Sequence, residues 1–280
     1  MTLKIGFIDY YLDEWHANNY PEWIKEASGG EMEIAYAYAD RPSPHTGMTT
    51  SEWCEKHGIK EVGTIGELTD LSDGIIVLSP DNCEQHERLC QIPLRSGKPV
   101  YVDKTFAPDL PTAKRIFDVA DKYGTPCWTT SALRFADEYK GIDTTGIKAI
   151  NTWGPMRFET YSIHQLEPLF MLMKAKADKV MYIPGENYYL VCYRFEDGRV
   201  GSISGFYPVV PFAMQIGSSS GNKDITVKSD FFKNFIKELV GFFRTGNAPV
   251  SHEETLSIMA ARGAALEASK DPYVWHDVIN

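Results

Sequence analysis

The chain has few of the features that mark several common protein classes. Its 280 residues hold five cysteines, Cys54, Cys83, Cys90, Cys127 and Cys192. None forms a C-x-x-C pair, and an odd number makes a poor disulfide framework. Reduced thiols in a cytoplasm are therefore expected. Positive charge is scarce: 28 Lys and Arg stand against 38 Asp and Glu, a formal charge of −10. That balance excludes a basic nucleic-acid footprint, so no nucleic-acid partner is expected. It does not exclude a small anionic ligand, because one positive cleft can exist on an acidic protein. No apolar run approaches the roughly 18 residues of a membrane span, and no basic segment leads into an apolar one as in a signal peptide. No membrane partner is expected. H-E-x-x-H and Walker sequences are missing, which removes the simplest zinc-protease and P-loop readings. The histidines show no metal-ligand spacing, so no metal is expected.

Glycine is missing where it matters most. A dinucleotide fingerprint follows the first strand and needs glycines for a tight turn and for close approach to a pyrophosphate. Here Gly6-Phe7-Ile8-Asp9-Tyr10-Tyr11-Leu12-Asp13-Glu14-Trp15-His16 has a single glycine. Asp9, Asp13 and Glu14 put negative charge where the phosphates would lie. Asp13 reads as a helix N-cap that would use the N–H groups a phosphate wants. The bland alternative is a plain strand-to-helix turn.

What is present is a globular pattern. At 43% apolar and 12% aromatic, the chain can bury a core in each of about two domains. The first half alternates apolar strands with amphipathic helices. Leu3–Asp9, Met32–Ala39, Gly74–Leu78, Lys98–Asp103 and Pro126–Thr130 read as strands. Helices lie between them, with capping boxes at Thr49/Glu52 and Thr64/Glu67 and glycine stops at Gly58 and Gly124. This is the pattern of a doubly wound parallel sheet. Ligands bind such sheets at the carboxyl ends of the strands, which carry Asp9 and Tyr10, Asp40 and Arg41, Ser79 to Asn82, and Asp103 and Lys104.

After about residue 135 the pattern changes. A strand at Lys148–Trp153 and a helix from about Tyr161 to Lys174 precede strands near 188–195, 200–206, 211–216 and 224–228. Asp197-Gly198 marks a hairpin. Two helices follow, one starting at Asp230 and one at the Ser251/Glu254 capping box. The expected organisation is α/β: a Rossmann-like domain over 1–134, then an α+β domain over 135–280 with an open, mainly antiparallel sheet.

Two segments carry chemistry. Gly97-Lys98-Pro99-Val100-Tyr101-Val102-Asp103-Lys104-Thr105 sends a lysine from the end of a central strand. An ammonium there can hydrogen-bond a substrate hydroxyl and favour its alkoxide character; the bland alternative is an Asp103–Lys104 ion pair. Tyr161-Ser162-Ile163-His164 places an imidazole in the first turns of a helix, where the dipole lowers its pKa and favours the neutral base. Tyr161 can share its helical face. The bland alternative is a histidine that steadies the helix. Asp40 could accept hydrogen bonds from a ribose diol, and Arg41 could meet a 2′-phosphate; both could equally be solvated charges at a strand end.

These segments resemble the glucose-fructose oxidoreductase / inositol dehydrogenase / MocA family over nearly the whole chain. Gly97-Lys98-Pro99-Val100 through Asp103-Lys104-Thr105 is similar to the family's glycine-lysine-x-valine, glutamate-lysine-proline motif, with aspartate for glutamate and threonine for proline. Tyr161 to Phe170 resembles the helix that bears the family's catalytic histidine. Phe195-Glu196-Asp197-Gly198-Arg199-Val200-Gly201 and Phe243 to Thr255 resemble its later segments. The resemblance implies NAD or NADP as cofactor and hydride transfer at a carbinol of a sugar, polyol or derivative. It also implies a homo-oligomer built through the C-terminal sheet. It makes Lys104, His164 and Tyr161 the catalytic set. By matching position it gives Ser79, Pro80, Asn82, His86 and Arg134 to the nucleotide cleft; Gly6, Asp9, Tyr10, Asp40, Arg41 and Asp103, from the opening turn and the strand ends, complete the expected nucleotide set. Two departures stand out: the glycine turn is missing, and Thr160 replaces the aspartate four residues before the histidine. They leave open a relative that binds a carbohydrate or a partner protein without hydride transfer. A redox-assisted lyase or hydrolase that retains its NAD is the third alternative.

Overall fold

The computed structural model describes residues 2–155 and 157–280. The chain forms two compact units. The first comprises residues up to Thr130 together with Phe235–His252, and the second comprises Ser131–Asn234 with Glu253–Asn280.

In the first unit, six strands form one sheet: β1 (Leu3–Asp9), β2 (Met32–Ala39), β3 (Lys60–Glu61), β4 (Gly74–Val77), β5 (Val100–Val102) and β6 (Cys127–Trp128). Their order is β3-β2-β1-β4-β5-β6, and every pairing is parallel. That is the doubly wound order, with its switch point between β1 and β4. The last five residues of β1, all of β4 and all of β5 are buried, as a sheet covered on both faces requires. The helices are α1 (Trp15–Ala27), α2 (Thr50–His57), α3 (Ile65–Leu71), α4 (His86–Cys90) and α5 (Leu110–Tyr123). Local chemistry sets their ends. Thr49 and Glu52 form a complete capping box on α2, and Gly58 closes it in the left-handed conformation. Asp109 caps α5, and Gly124 ends it with φ 63°.

The expected division at 134/135 misses one return of the chain. Residues 235–252 belong to the first unit because their aromatic side chains pack there. The Phe235 ring lies 5.5 Å from that of Tyr101 and 5.9 Å from that of Trp128. Phe242 packs 5.5 Å from Trp128, and His252 stacks on Phe117 at 3.8 Å. Gly74 leaves room for Phe243, whose Cδ1 stands 2.6 Å from where a Cβ would be. Local hydrophobic periodicity does not reveal which of two cores a helix joins.

The second unit holds a seven-stranded sheet ordered β12-β11-β7-β10-β9-β8-β13. Its strands are β7 (Ile147–Pro155), β8 (Ala177–Pro184), β9 (Tyr188–Phe195), β10 (Val200–Phe206), β11 (Ala213–Ser218), β12 (Gly221–Thr226) and β13 (His276–Asp277). Only β7 and β10 pair in parallel; the other pairings are antiparallel. The foreseen hairpin joins β9 to β10, with Gly198 at φ 84°. β8 was not foreseen, since its burial lacks the strict alternation that marks a half-buried strand. Helix α6 (Phe158–Met173) lies against β7 and β10. Gly201 permits this approach: its Cβ would meet Leu169 Cδ1 at 2.9 Å. The remaining helices are α7 (Phe231–Thr245) and α8 (His252–Ala268). The α/β fold with a Rossmann-like sheet and a second, mixed-sheet unit is thus as the sequence implied.

Among the described residues, no helix is long and apolar enough to cross a membrane. Nor do three or more Cys, His, Asp or Glu side chains group so as to hold a metal. Burial pushes the Cys54 thiol up to about 12, so it carries no thiolate near neutral pH.

Candidate active site

In the first unit the carboxyl ends of β1, β4 and β5 bring Asp9, Ser79, Asp103 and Lys104 to one end of the sheet. The buried Asp9 accepts hydrogen bonds at Oδ1 from Ser79 Oγ (2.9 Å) and the Tyr10 amide (2.6 Å). Its other oxygen, Oδ2, is buried without a hydrogen-bond partner. Burial, reinforced by the Glu14 charge, raises the Asp9 carboxyl well above the usual carboxylate range. Ser79 reaches Asp9 from a turn in which its own φ is 72°.

Lys104 follows β5 directly. Its ammonium lies 3.8 Å from Asp103 Oδ2 and donates to the Pro80 carbonyl at 3.4 Å. Its side chain is 13% exposed, so the ammonium is sheltered rather than trailing in solvent. Asp103 is buried, and the Tyr101 hydroxyl donates to it at 3.3 Å. The ion pair offered as the bland reading is therefore present, but it is long. Lys98 has a purely structural part: its ammonium donates to the carbonyls of Thr69 (2.6 Å) and Ser72 (2.7 Å), closing the end of α3.

Several expected nucleotide contacts have other duties. Gly6 sits inside β1 against α3: a Cβ there would collide with Leu68 Cδ2 and meet Ser72 Oγ at 2.5 Å. The lone glycine of the opening thus serves helix packing. His86 is fully buried, with Nδ1 3.0 Å from the Phe106 carbonyl and Nε2 2.6 Å from that of Leu78. Burial lowers the imidazole pKa, and the single N–H of the neutral ring donates to one of these two carbonyls. Arg134 belongs to the second unit. There its buried guanidinium binds Glu167 at 2.8 Å and also Glu254. Burial works against its charge, but the two carboxylates outweigh that and raise its pKa. Both residues therefore hold structure.

The strand-end residues are more open. Asp40 is exposed; it receives the Tyr38 hydroxyl at 3.0 Å and pairs with Arg88. Arg41 is exposed, lies 5.6 Å from the Tyr10 ring centre and donates to the Tyr10 hydroxyl at 3.4 Å. Asn82 donates to Glu84 at 3.2 Å.

The opening turn decides whether a dinucleotide diphosphate fits. A six-residue fingerprint running from the end of β1 to the start of α1 puts its three glycine positions on Asp9, Tyr11 and Glu14. The N-cap of α1 is Glu14, not the expected Asp13. Glu14 accepts the His16 amide at 2.8 Å and also the Ala17 amide. Asp13 is drawn away by the Thr46 hydroxyl (2.6 Å) and the Asn18 amide (2.9 Å), which hold its carboxyl below the usual range. Tyr11 is buried, its hydroxyl 3.4 Å from His45 Nε2. The backbone donors that would receive a diphosphate already hold a carboxylate, so the turn as it stands does not fit that group.

In the second unit His164 lies on α6. The helix begins three residues before the expected start, so His164 falls in its second turn. There it stands beyond the first turn of the helix. His164 Nδ1 is 2.7 Å from Ser131 Oγ. Tyr161 meets the His164 ring edge-on at 5.2 Å, and Phe212 meets it at 5.8 Å. The neighbouring Gln165 fixes the rotation of α6. It accepts from the Thr152 hydroxyl (2.8 Å) and donates to the Ser204 carbonyl (2.9 Å). Thr160 is exposed. Ser131 was missed because it precedes His164 by 33 residues; the only sequence signal was a serine opening the Ala132–Phe135 turn.

No family model matches the sequence, and no curated protein matches it. Solved structures do. Scyllo-inositol dehydrogenase from Lactobacillus casei, with bound NAD(H) and scyllo-inositol, superposes with a TM-score of 0.80 at 14% identity, over 99% of each chain. Myo-inositol 2-dehydrogenase from Lactobacillus plantarum gives 0.78 at 12% identity over 100% of both chains. An oxidoreductase from Agrobacterium radiobacter in complex with NAD+, L-tartaric acid and magnesium gives 0.76 at 14% identity, over 99% of each. At such identities the likeness establishes the architecture: this chain has the fold of these dehydrogenases.

Proposed function

We propose that the protein is an NAD(P)-linked oxidoreductase that acts on a carbinol of a sugar, polyol or related compound. The observation that carries this reading is Lys104: a sheltered ammonium at the carboxyl end of an interior parallel strand, in a sheet of dinucleotide-binding order. In this reading Lys104 donates a hydrogen bond to the reacting oxygen and stabilises its developing negative charge. Asp103 and the Pro80 carbonyl hold the ammonium in place. His164 exchanges the hydroxyl proton, with Ser131 fixing the ring and Tyr161 positioning hydroxyl groups. The solved inositol dehydrogenases of the same fold support the substrate class. The exposed Tyr188, Val200 and Phe206 of the second sheet support a homo-oligomer formed there.

One observation favours a second reading, a protein of this fold that binds a carbohydrate or a partner protein without hydride transfer. It is the acidic opening turn, with Glu14 on the α1 amides and Asp9 buried behind it.

A polyol and sugar panel, tested with NAD+ and NADP+ and followed by nicotinamide absorbance, separates the two. The expected result is turnover of at least one polyol. Lys104→Met should lower it by roughly 100- to 10,000-fold with unchanged thermal unfolding. Equal turnover in Lys104→Met would remove the lysine from the mechanism. No turnover and no nucleotide binding would favour the second reading.

A further inference from the structure

Glu14 folds back onto its own helix, with its side chain 8% exposed. Its carboxylate takes two amides at the start of α1, and His16 Nδ1 braces it at 3.0 Å. Behind it, Asp9 keeps one buried oxygen without a hydrogen-bond partner. Capping alone is ordinary: Thr49, Thr64 and Asp109 cap α2, α3 and α5. Glu14 differs in its place. It caps the helix that follows β1, beside the β1/β4 switch point, where sheets of this order receive a nucleotide's diphosphate.

We infer that the Glu14 carboxylate is a built-in competitor for the diphosphate, so that a nicotinamide dinucleotide enters only by displacing it. This rests on the oxidoreductase reading and makes Glu14 the residue that sets cofactor affinity. One set of backbone donors cannot serve two anions, and a displaced carboxylate would remain close to the diphosphate, repelling it at low local dielectric. Neutral parts of the ligand do not meet this competition, so the penalty falls on the phosphates alone.

The test is equilibrium titration of the full-length protein with NADH, and with adenosine as a probe lacking phosphates. Wild type, Glu14→Gln and Glu14→Gly are compared. Gln keeps the side-chain length and a carbonyl oxygen for the amides, so it folds as the wild type does. Gly is a tolerated N-cap that leaves the amides open. Wild type is expected to bind NADH weakly. Glu14→Gly should bind it tighter by roughly tenfold or more, with Glu14→Gln between the two. Adenosine affinity should not change. Equal, measurable NADH binding by all three proteins would overturn the competitor and leave the oxidoreductase reading standing. NADH binding by none would overturn both. A gain that adenosine shares equally would show loosening of the unit rather than release of an anion site, and would also overturn the inference.

Discussion

Ser131 Oγ lies 2.7 Å from His164 Nδ1, joining the turn that opens the second unit to the α6 helix of the same unit. The same oxygen accepts the Leu133 amide at 3.2 Å, which fixes the hydroxyl and, through it, the ring. Such a partner orients an imidazole without adding charge.

Ser131→Ala should therefore lower kcat/KM on the active polyol by roughly 10- to 100-fold, because a misaligned ring transfers its proton poorly. Ser131→Thr, which keeps the hydroxyl, should recover most of the loss. The pH–rate profiles of the three proteins provide the second readout. A merely structural serine would leave their inflections in place, whereas an orienting one shifts them. Unchanged rate and profile in Ser131→Ala would remove the role.

Asp9 makes stability depend on pH. Burial and Glu14 raise its folded-state pKa above that of the unfolded chain. The folded state therefore holds the proton more tightly. The associated stabilisation is complete below the unfolded pKa and is lost as pH rises through the folded one. Asp9→Asn cannot ionise. Its unfolding midpoint should meet or fall below that of wild type near pH 4 and exceed it increasingly toward pH 8. Thermal unfolding across that range checks it. A difference independent of pH would contradict the buried, proton-holding carboxyl.

Gly6 separates packing from cofactor contact. An added Cβ would collide with Leu68 Cδ2 and meet Ser72 Oγ at 2.5 Å. Gly6→Ala should cost about 1–3 kcal/mol as an overpacked contact between β1 and α3. Denaturant unfolding measures the loss. NADH affinity measured under conditions where the variant remains folded should be unchanged; a specific loss of affinity at intact stability would return Gly6 to the nucleotide site.

Much of the architecture was legible along the chain. The buried strand Gly74–Val77 announces itself by an unbroken apolar run. Helix ends at Thr49, Gly58 and Gly124 follow from local backbone chemistry. These are short-range effects, so neighbouring residues suffice to state them. The placing of Lys104 directly after a strand was legible for the same reason.

What lay beyond reach involves partners far apart in sequence. Glu14 and Asp13 are adjacent acids, and which one caps α1 depends on Thr46, 33 residues from Asp13. Arg134 looks like a free cation in sequence, but Glu254, 120 residues away, helps bind it in a buried network. The order of amino acids determined the elements, their caps and the scarcity of glycine in the opening turn. Only the tertiary structure decided which charges meet, which amides Glu14 holds, and which core receives residues 235–252. Secondary structure is set by bonds between near neighbours. A site is made of side chains whose energies depend on burial and on partners that only the folded chain supplies.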